Sequence, residues 1–215
     1  METVQSLTSL LKKKGVLGDE GILSAFTKID RKLFVPEGLQ SLAYADIPLP
    51  IGHGQTISQP FTVLFMLGLL DARRGDTVLD VGSGSAYTTA LLAEIVGEEG
   101  TVTGVEIVPD LVALGKSNLH KFHFSNAEIR QSGDTIGFPE GAPYDRILVS
   151  AEAREVPGDL VTQLKVGGRM VIPVKNGIWN IVKHSVETIE VEKHNGFVFV
   201  PLLDSAPYSR KGDFE

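Results

Sequence analysis

The residue types best suited to chemistry lie between Thr77 and Glu106. An apolar run, Thr77-Val78-Leu79-Asp80-Val81, feeds the turn Gly82-Ser83-Gly84-Ser85-Ala86. A helical stretch from Tyr87 to Val96 follows, and a second apolar run ends in Glu106. Glycines let backbone approach a ligand closely, a helix N-terminus offers unpaired N–H groups, and an acid at the tip of the next strand suits the two hydroxyls of a ribose. Together these are the parts of a nucleoside pocket. The spacing Gly82-x-Gly84-x-Ala86 lacks the third glycine of dinucleotide sites, and Asp80, just before the turn, would repel a pyrophosphate at that helix N-terminus. A neutral or cationic nucleoside ligand tolerates the carboxylate.

Placing these residues requires strands alternating with helices. The apolar patterns predict strands over 77–81, 102–106, 127–131, 146–150 and 169–174, with helices over 87–96, 109–118 and 157–164. That alternation implies an α/β fold with a doubly wound, mostly parallel sheet and helices on both faces. Upstream, helical spacing over 2–14 and 20–29 predicts an N-terminal helical cap, and another helix runs from Phe61 to about Leu70. The stretch from Tyr44 to Pro60 has prolines at 48, 50 and 60 and glycines at 52 and 54, so it is read as an ordered loop lying on the core. Beyond Val174 the stretches 179–186, 188–193 and 197–202 look strand-like without intervening helix, predicting an antiparallel hairpin at one sheet edge. Asn195-Gly196 supplies its turn, whereas Asn176-Gly177 is placed in a looser connection. The division expected is cap and site loop over 1–60, ligand-binding core over 61–203, and a polar, frayed tail over 204–215.

Whole-chain properties limit what this pocket can serve. An apolar fraction of 42% and a charged fraction of 22% are those of an ordinary globular protein. The net charge of −7 argues against nucleic-acid backbones as partners. No cysteine is present, which excludes disulfides, thiolate chemistry and cysteine-held metals. His120 and His123 are three apart, but no third ligand completes a metal set, so no metal is expected. No apolar stretch approaches the length of a membrane span, and no signal-peptide core precedes the first helix; a cytoplasmic monomer is the expectation.

An Asp-x-Gly-x-Gly turn with a downstream acid resembles S-adenosylmethionine-dependent methyltransferases, whose cofactor carries a sulfonium and an ammonium. The flanking segments narrow the resemblance. Ala43-Tyr44-Ala45-Asp46-Ile47-Pro48-Leu49-Pro50-Ile51-Gly52-His53-Gly54-Gln55-Thr56-Ile57-Ser58-Gln59-Pro60 is similar to the signature loop of the protein-L-isoaspartate O-methyltransferases. The likeness continues in Val78 to Ser85, Ala142 to Ser150, Gln163 to Val174 and Phe199 to Leu202. It covers roughly residues 20 to 203, and the Gly-Gln-Thr-Ile-Ser loop is its most specific part.

What the resemblance implies is a repair enzyme. Such enzymes methylate the free α-carboxylate of L-isoaspartyl residues in damaged proteins and peptides; the ester then collapses to a succinimide that can reopen to aspartate. By the same resemblance, Ser58 is the active-site serine, donating a hydrogen bond to the substrate carboxylate, with Thr56 and Ile57 lining the wall between cofactor and substrate. Gly82, Ser83 and Gly84 would meet the cofactor's amino-acid end, with Asp80 beside it; Glu106 would hold both ribose hydroxyls, and Gly133-Asp134 would approach the adenine, Asp134 accepting from the exocyclic amine. Thr135 belongs to the same adenine-side loop. A loop serine or threonine is more often a turn residue or cap than a site residue, and that reading stays open beside the catalytic one, which the loop match favours for Ser58.

Three positions depart from the family pattern: Ala86 and Thr135 stand where glycines are usual, and Glu152 replaces a small residue at the presumed substrate entrance. Glu152 could repel acidic peptides or simply face solvent. Two rival functions remain: a methyltransferase for a tRNA base or a small molecule such as a corrin intermediate, and a cofactor-binding module inactivated through Ala86 and Thr135. The first would call for a basic face or an extra domain, and the second for cofactor binding without methyl transfer.

Overall fold

The computed structural model describes residues 3–16 and 18–203. Two amphipathic helices, α1 (Val4–Lys13) and α2 (Glu20–Lys28), open the chain as predicted. Thr3 and Ser6 cap α1 reciprocally, at 2.9 and 3.1 Å, and the Asp19 carboxylate accepts the Ile22 N–H at 2.8 Å to start α2. Both turn their apolar stripes, Leu7, Leu11, Ile22 and Phe26, into the core. Two 3-10 turns, Arg31–Phe34 and Glu37–Leu42, then carry the chain to the proline-rich segment.

That segment is more regular than the predicted loop. It forms a hairpin of β1 (Leu49–Gly52) and β2 (Gln55–Ile57) joined by His53-Gly54, both at positive φ as a two-residue hairpin turn requires. Its strands are too short to give a readable alternation, although Leu49, Ile51 and Ile57 are buried as their apolar character demands.

The helix α3 (Pro60–Leu70), with proline in its first turn, leads into the sheet. Next come β3 (Thr77–Val81), α4 (Tyr87–Val96), β4 (Thr101–Glu106), α5 (Pro109–His120), β5 (Ala127–Gln131), β6 (Tyr144–Val149), α6 (Gly158–Gln163), β7 (Leu164–Val174), β8 (Gly177–Lys183) and β9 (Ile189–Asn195). The strand order is β5-β4-β3-β6-β7-β8-β9, parallel from β5 to β7 and antiparallel thereafter. This is the doubly wound sheet with an antiparallel edge that the sequence predicts. Strand residues alternate between two cores: Val78, Leu148 and Val171 pack with α1 to α5, whereas Leu79, Ile147 and Met170 pack with α6. The helical cover is therefore unequal, five helices contributing to one core and α6 to the other.

The two Asn-Gly dipeptides exchange roles relative to the prediction. Lys175-Asn176, at φ 51° and 58°, make the tight turn between β7 and β8, where Val174 pairs with Gly177. Asn195-Gly196 instead ends β9, and the N–H groups of Gly196 and Phe197 donate to the Asn176 carbonyl at 3.0 and 3.2 Å. Composition favours a turn at either site; the pairing of Met170 with Ile181 and Ile172 with Trp179 fixes the corner at 175–176. The strand expected over 197–202 reduces to one bridge, Glu152 with Pro201, because proline has no N–H to continue a ladder. The predicted tail over 204–215 lies outside the described residues. Among the described residues, no helix is long and apolar enough to cross a membrane, and no cluster of three or more His, Cys, Asp or Glu could hold a metal.

Candidate active site

The winding order reverses between β3 and β6, so the chain leaves adjacent strands in opposite directions and opens a crevice beyond their carboxyl ends. The crevice holds about 920 Å³ of space between atoms, its open mouth included. The loops after β3, β4, β5 and β6 form its floor, and the β1–β2 hairpin forms its opposite wall. The N–H groups of Gly82 and Ser83 donate to Val105 of β4, and Ser150 N–H donates to Val81, lacing the three loops together at 2.8 to 3.0 Å.

The glycine turn needs its glycines. Gly82 and Gly84 have φ of 75° and 51°, and a Cβ on Gly84 would lie 3.0 Å from Cδ1 of Ile51 in the hairpin wall. Ala86 is also left-handed at φ 70°, and it is fully buried. An L-residue there keeps the turn's shape at the cost of backbone strain. Thr135 has no positive φ; the positive-φ residue of the loop after β5 is Gly137 at 95°, so a side chain at 135 fits without backbone strain.

Glu106, at the tip of β4, is buried and already engaged. Oε2 accepts Gly84 N–H at 2.9 Å, while Oε1 accepts Ile107 and Val108 N–H at 2.8 and 2.9 Å. A carboxylate has about four acceptor positions, so roughly one remains, on the oxygen beside the glycine turn. Glu106 thus serves as the tie that holds Gly84 in place, with acceptor capacity left on the oxygen beside the glycine turn.

Asp80 is fully buried beneath the turn. Thr88 and Thr89 hydroxyls of α4 both donate to Oδ2 at 2.7 Å, while Oδ1 is one of the buried polar atoms without a partner among the described residues. Burial pushes its pKa up to about 6, opposed by the threonine hydroxyls and reinforced by the Glu106 charge. Ser83 Oγ and the Tyr87 hydroxyl, both on the crevice lining, are likewise buried and unpartnered. Buried polar groups are normally satisfied, so a hydroxyl and a phenol left open on one crevice fit a polar ligand; Asp80 lies beneath the turn, outside the lining, where its charge favours a cation above it.

On the opposite wall, Thr56, Ile57 and Ser58 face the glycine turn, with Thr56 exposed, Ile57 buried and Ser58 half-buried. The structure brings these three together with Gly82, Ser83, Gly84 and Glu106. Thr135 lines the same crevice from the β5 loop, whereas Asp134 is exposed and its neighbours Gly133 and Thr135, not Asp134 itself, form the lining. The Glu152 carboxylate accepts the Asn176 N–H at 2.9 Å and so pegs the β7–β8 turn.

Several lining residues carried no readable signal. Tyr87 reads as an ordinary helix residue, and Ser150 as a strand end. Gln163, at the end of α6 and outside the lining, brackets the loop after β5 by bonding Phe138 N–H and Ile136 carbonyl, each at 2.8 Å, a contact made across 25 or more residues of sequence.

Comparison with known proteins agrees with this geometry. The family model described as protein-L-isoaspartate(D-aspartate) O-methyltransferase matches residues 2–206. A protein-L-isoaspartate O-methyltransferase of Methanothrix thermoacetophila is 46% identical over 185 residues, covering 86% of this chain and 88% of that protein. Its counterpart from Methanopyrus kandleri is 44% identical over 204 residues, 93% and 90% of the two chains. The crystal structure of a Plasmodium falciparum protein given the same description, in complex with S-adenosyl-L-homocysteine, superposes with a TM-score of 0.84 at 27% identity, covering 94% of this chain and 99% of that one.

Proposed function

The chain belongs to the protein-L-isoaspartate(D-aspartate) O-methyltransferase family, and on that premise we propose how its own residues carry the repair reaction. It is an S-adenosylmethionine-dependent methyltransferase acting on the α-carboxylate of L-isoaspartyl residues in damaged proteins and peptides. The observation that carries this reading is the meeting of two walls: the hairpin with Ser58 and the glycine turn with its unpartnered polar atoms line one crevice.

S-adenosylmethionine supplies an electrophilic methyl group on a sulfonium. Gly82, Ser83 and Gly84 hold its amino-acid end against backbone, with the open oxygen of Asp80 beneath that end favouring positive charge. Glu106 takes one ribose hydroxyl while fixing Gly84. Gly133 and Thr135 flank the adenine, and Asp134 stands at the rim of that loop. Thr56 and Ile57 separate the cofactor from the substrate and exclude water.

A carboxylate with a pKa near ~4 is ionised at neutral pH, so no general base is required. Ser58 donates its hydroxyl to the substrate carboxylate and aims one oxygen at the methyl carbon; alignment and desolvation provide the acceleration. Residues 1–60 thus serve as cap and substrate wall, and 61–203 as the cofactor-binding core. The chain acts as a cytoplasmic monomer, and its net charge of −7 disfavours nucleic acid as a partner.

The chemistry of the product tests this. Incubation with methyl-labelled cofactor and an isoaspartyl peptide places label in an alkali-labile ester, released as methanol. Label that survives alkali would mean methylation at nitrogen, sulfur or carbon and would overturn the assignment.

A further inference from the structure

Outside the crevice, Arg31 stands apart. It is 2% exposed, and its three hydrogen bonds all end on main-chain carbonyls of the segment that carries Ser58. Nη1 donates to Ala43 at 2.7 Å, and Nη2 donates to Ile47 and to Ser58, each at 3.1 Å. None ends on a carboxylate. Burial disfavours its charge, and the nearby Asp46 favours it. A buried cation is seldom the most stable filling for a core, because apolar side chains of equal volume avoid the desolvation cost. What a guanidinium offers instead is a rigid planar fork that holds several acceptors in one arrangement.

We propose that Arg31 is a positioning residue for methyl transfer, clamping the Ser58 main chain so that the hydroxyl faces the cofactor wall. The proposal rests on the role given to Ser58 above. Other contacts keep the segment folded when the clamp is lost. Tyr44 donates to Asp30 at 2.9 Å, and Asp46 accepts Phe61 N–H of α3 at 2.8 Å and Lys14 Nζ at 2.7 Å. Removing the guanidinium therefore loosens the placement of Ser58 more than it unravels the loop.

The test compares Arg31→Met and Arg31→Lys with the parent, measuring kcat and KM for an isoaspartyl peptide and the Kd for S-adenosylhomocysteine, in both the Ser58 and the Ser58→Ala backgrounds. With Ser58 present, Arg31→Met lowers kcat roughly 10- to 100-fold, Arg31→Lys falls between, and the Kd stays within about threefold. With Ser58 already Ala, Arg31→Met costs no more than about twofold further, since there is no hydroxyl left to place. Parent-like kcat in both folded variants overturns the proposal, as does an undiminished loss in the Ser58→Ala background, the mark of a general structural role. If Arg31→Met binds no S-adenosylhomocysteine, Arg31→Lys decides by the same criteria. A parent chain that methylates no isoaspartyl peptide contradicts the repair reading itself, and the clamp with it.

Discussion

Ser58, Glu106 and Asp80 do different work, and each makes its own prediction. In the proposed role, Ser58→Ala removes one charge-assisted hydrogen bond of about 1.5–3 kcal/mol, so kcat should fall roughly 10-fold or more while cofactor affinity holds. Equal rates at saturating peptide would remove Ser58 from the mechanism. Glu106→Gln retains the shape but loses an acceptor at the glycine turn and, in the proposed role, at the ribose. S-adenosylmethionine and S-adenosylhomocysteine should weaken together by about 1–2 kcal/mol; calorimetry that finds only one of them affected would move the ribose contact elsewhere. Asp80, buried beneath the glycine turn, makes a prediction about pH. Its pKa is raised to about 6 in the folded chain from 3.8, so the stability it contributes is full below pH 3.8 and is lost as pH rises through about 6. The rise corresponds to roughly 3 kcal/mol of penalty on the ionised form, which a cationic ligand relieves. Cofactor affinity should therefore increase between about pH 5 and 7 and then level off, and Asp80→Asn should flatten that rise. A parent-like slope in Asp80→Asn would place the titrating group elsewhere. The residue types at these sites were legible in the sequence, but the three N–H bonds on Glu106 and the threonine pair on Asp80 were not, because they depend on how strand tips and a helix start meet.

At the scale of elements, Ala86 tests how much the α4 turn depends on backbone freedom. Its left-handed φ costs roughly 1–2 kcal/mol against glycine, and Ala86→Gly relieves that strain. The same change removes a buried methyl worth about 0.8 kcal/mol and loosens the unfolded chain by about 0.4–1 kcal/mol. The terms nearly cancel, so urea unfolding should place Ala86→Gly within about 1 kcal/mol of the parent. A loss above about 2 kcal/mol would show that the methyl packs tightly against the neighbouring α5, near Gly115. The helices and parallel strands were readable because each carries a long apolar period. The β1–β2 hairpin was read as a loop because strands of four and three residues offer too few positions for a pattern. The exchanged Asn-Gly roles show that turn composition locates a corner only when strand register agrees with it.

Across the whole molecule, charge and topology set what reaches the crevice. With a net charge of −7, peptides flanked by Lys or Arg should show lower KM than those flanked by Asp or Glu. The gap should narrow as salt rises from about 0.02 to about 0.5 M, and a salt-independent gap would point to direct contacts instead. The mostly parallel sheet with its antiparallel edge followed from the sequence because strands and helices alternate along most of the chain; the order β5-β4-β3-β6-β7-β8-β9 came from the structure. The Arg31 clamp did not, because a lone arginine in a short 3-10 turn has no periodicity, and its acceptors are backbone atoms that sequence does not display. The most direct measurement uses two peptides identical except that one residue is L-isoaspartate in one and L-aspartate in the other, each incubated with the chain and methyl-labelled S-adenosylmethionine. The account predicts labelled methyl ester on the isoaspartyl peptide and none above background on its partner; equal labelling of the two, or cofactor binding with neither labelled, would contradict it.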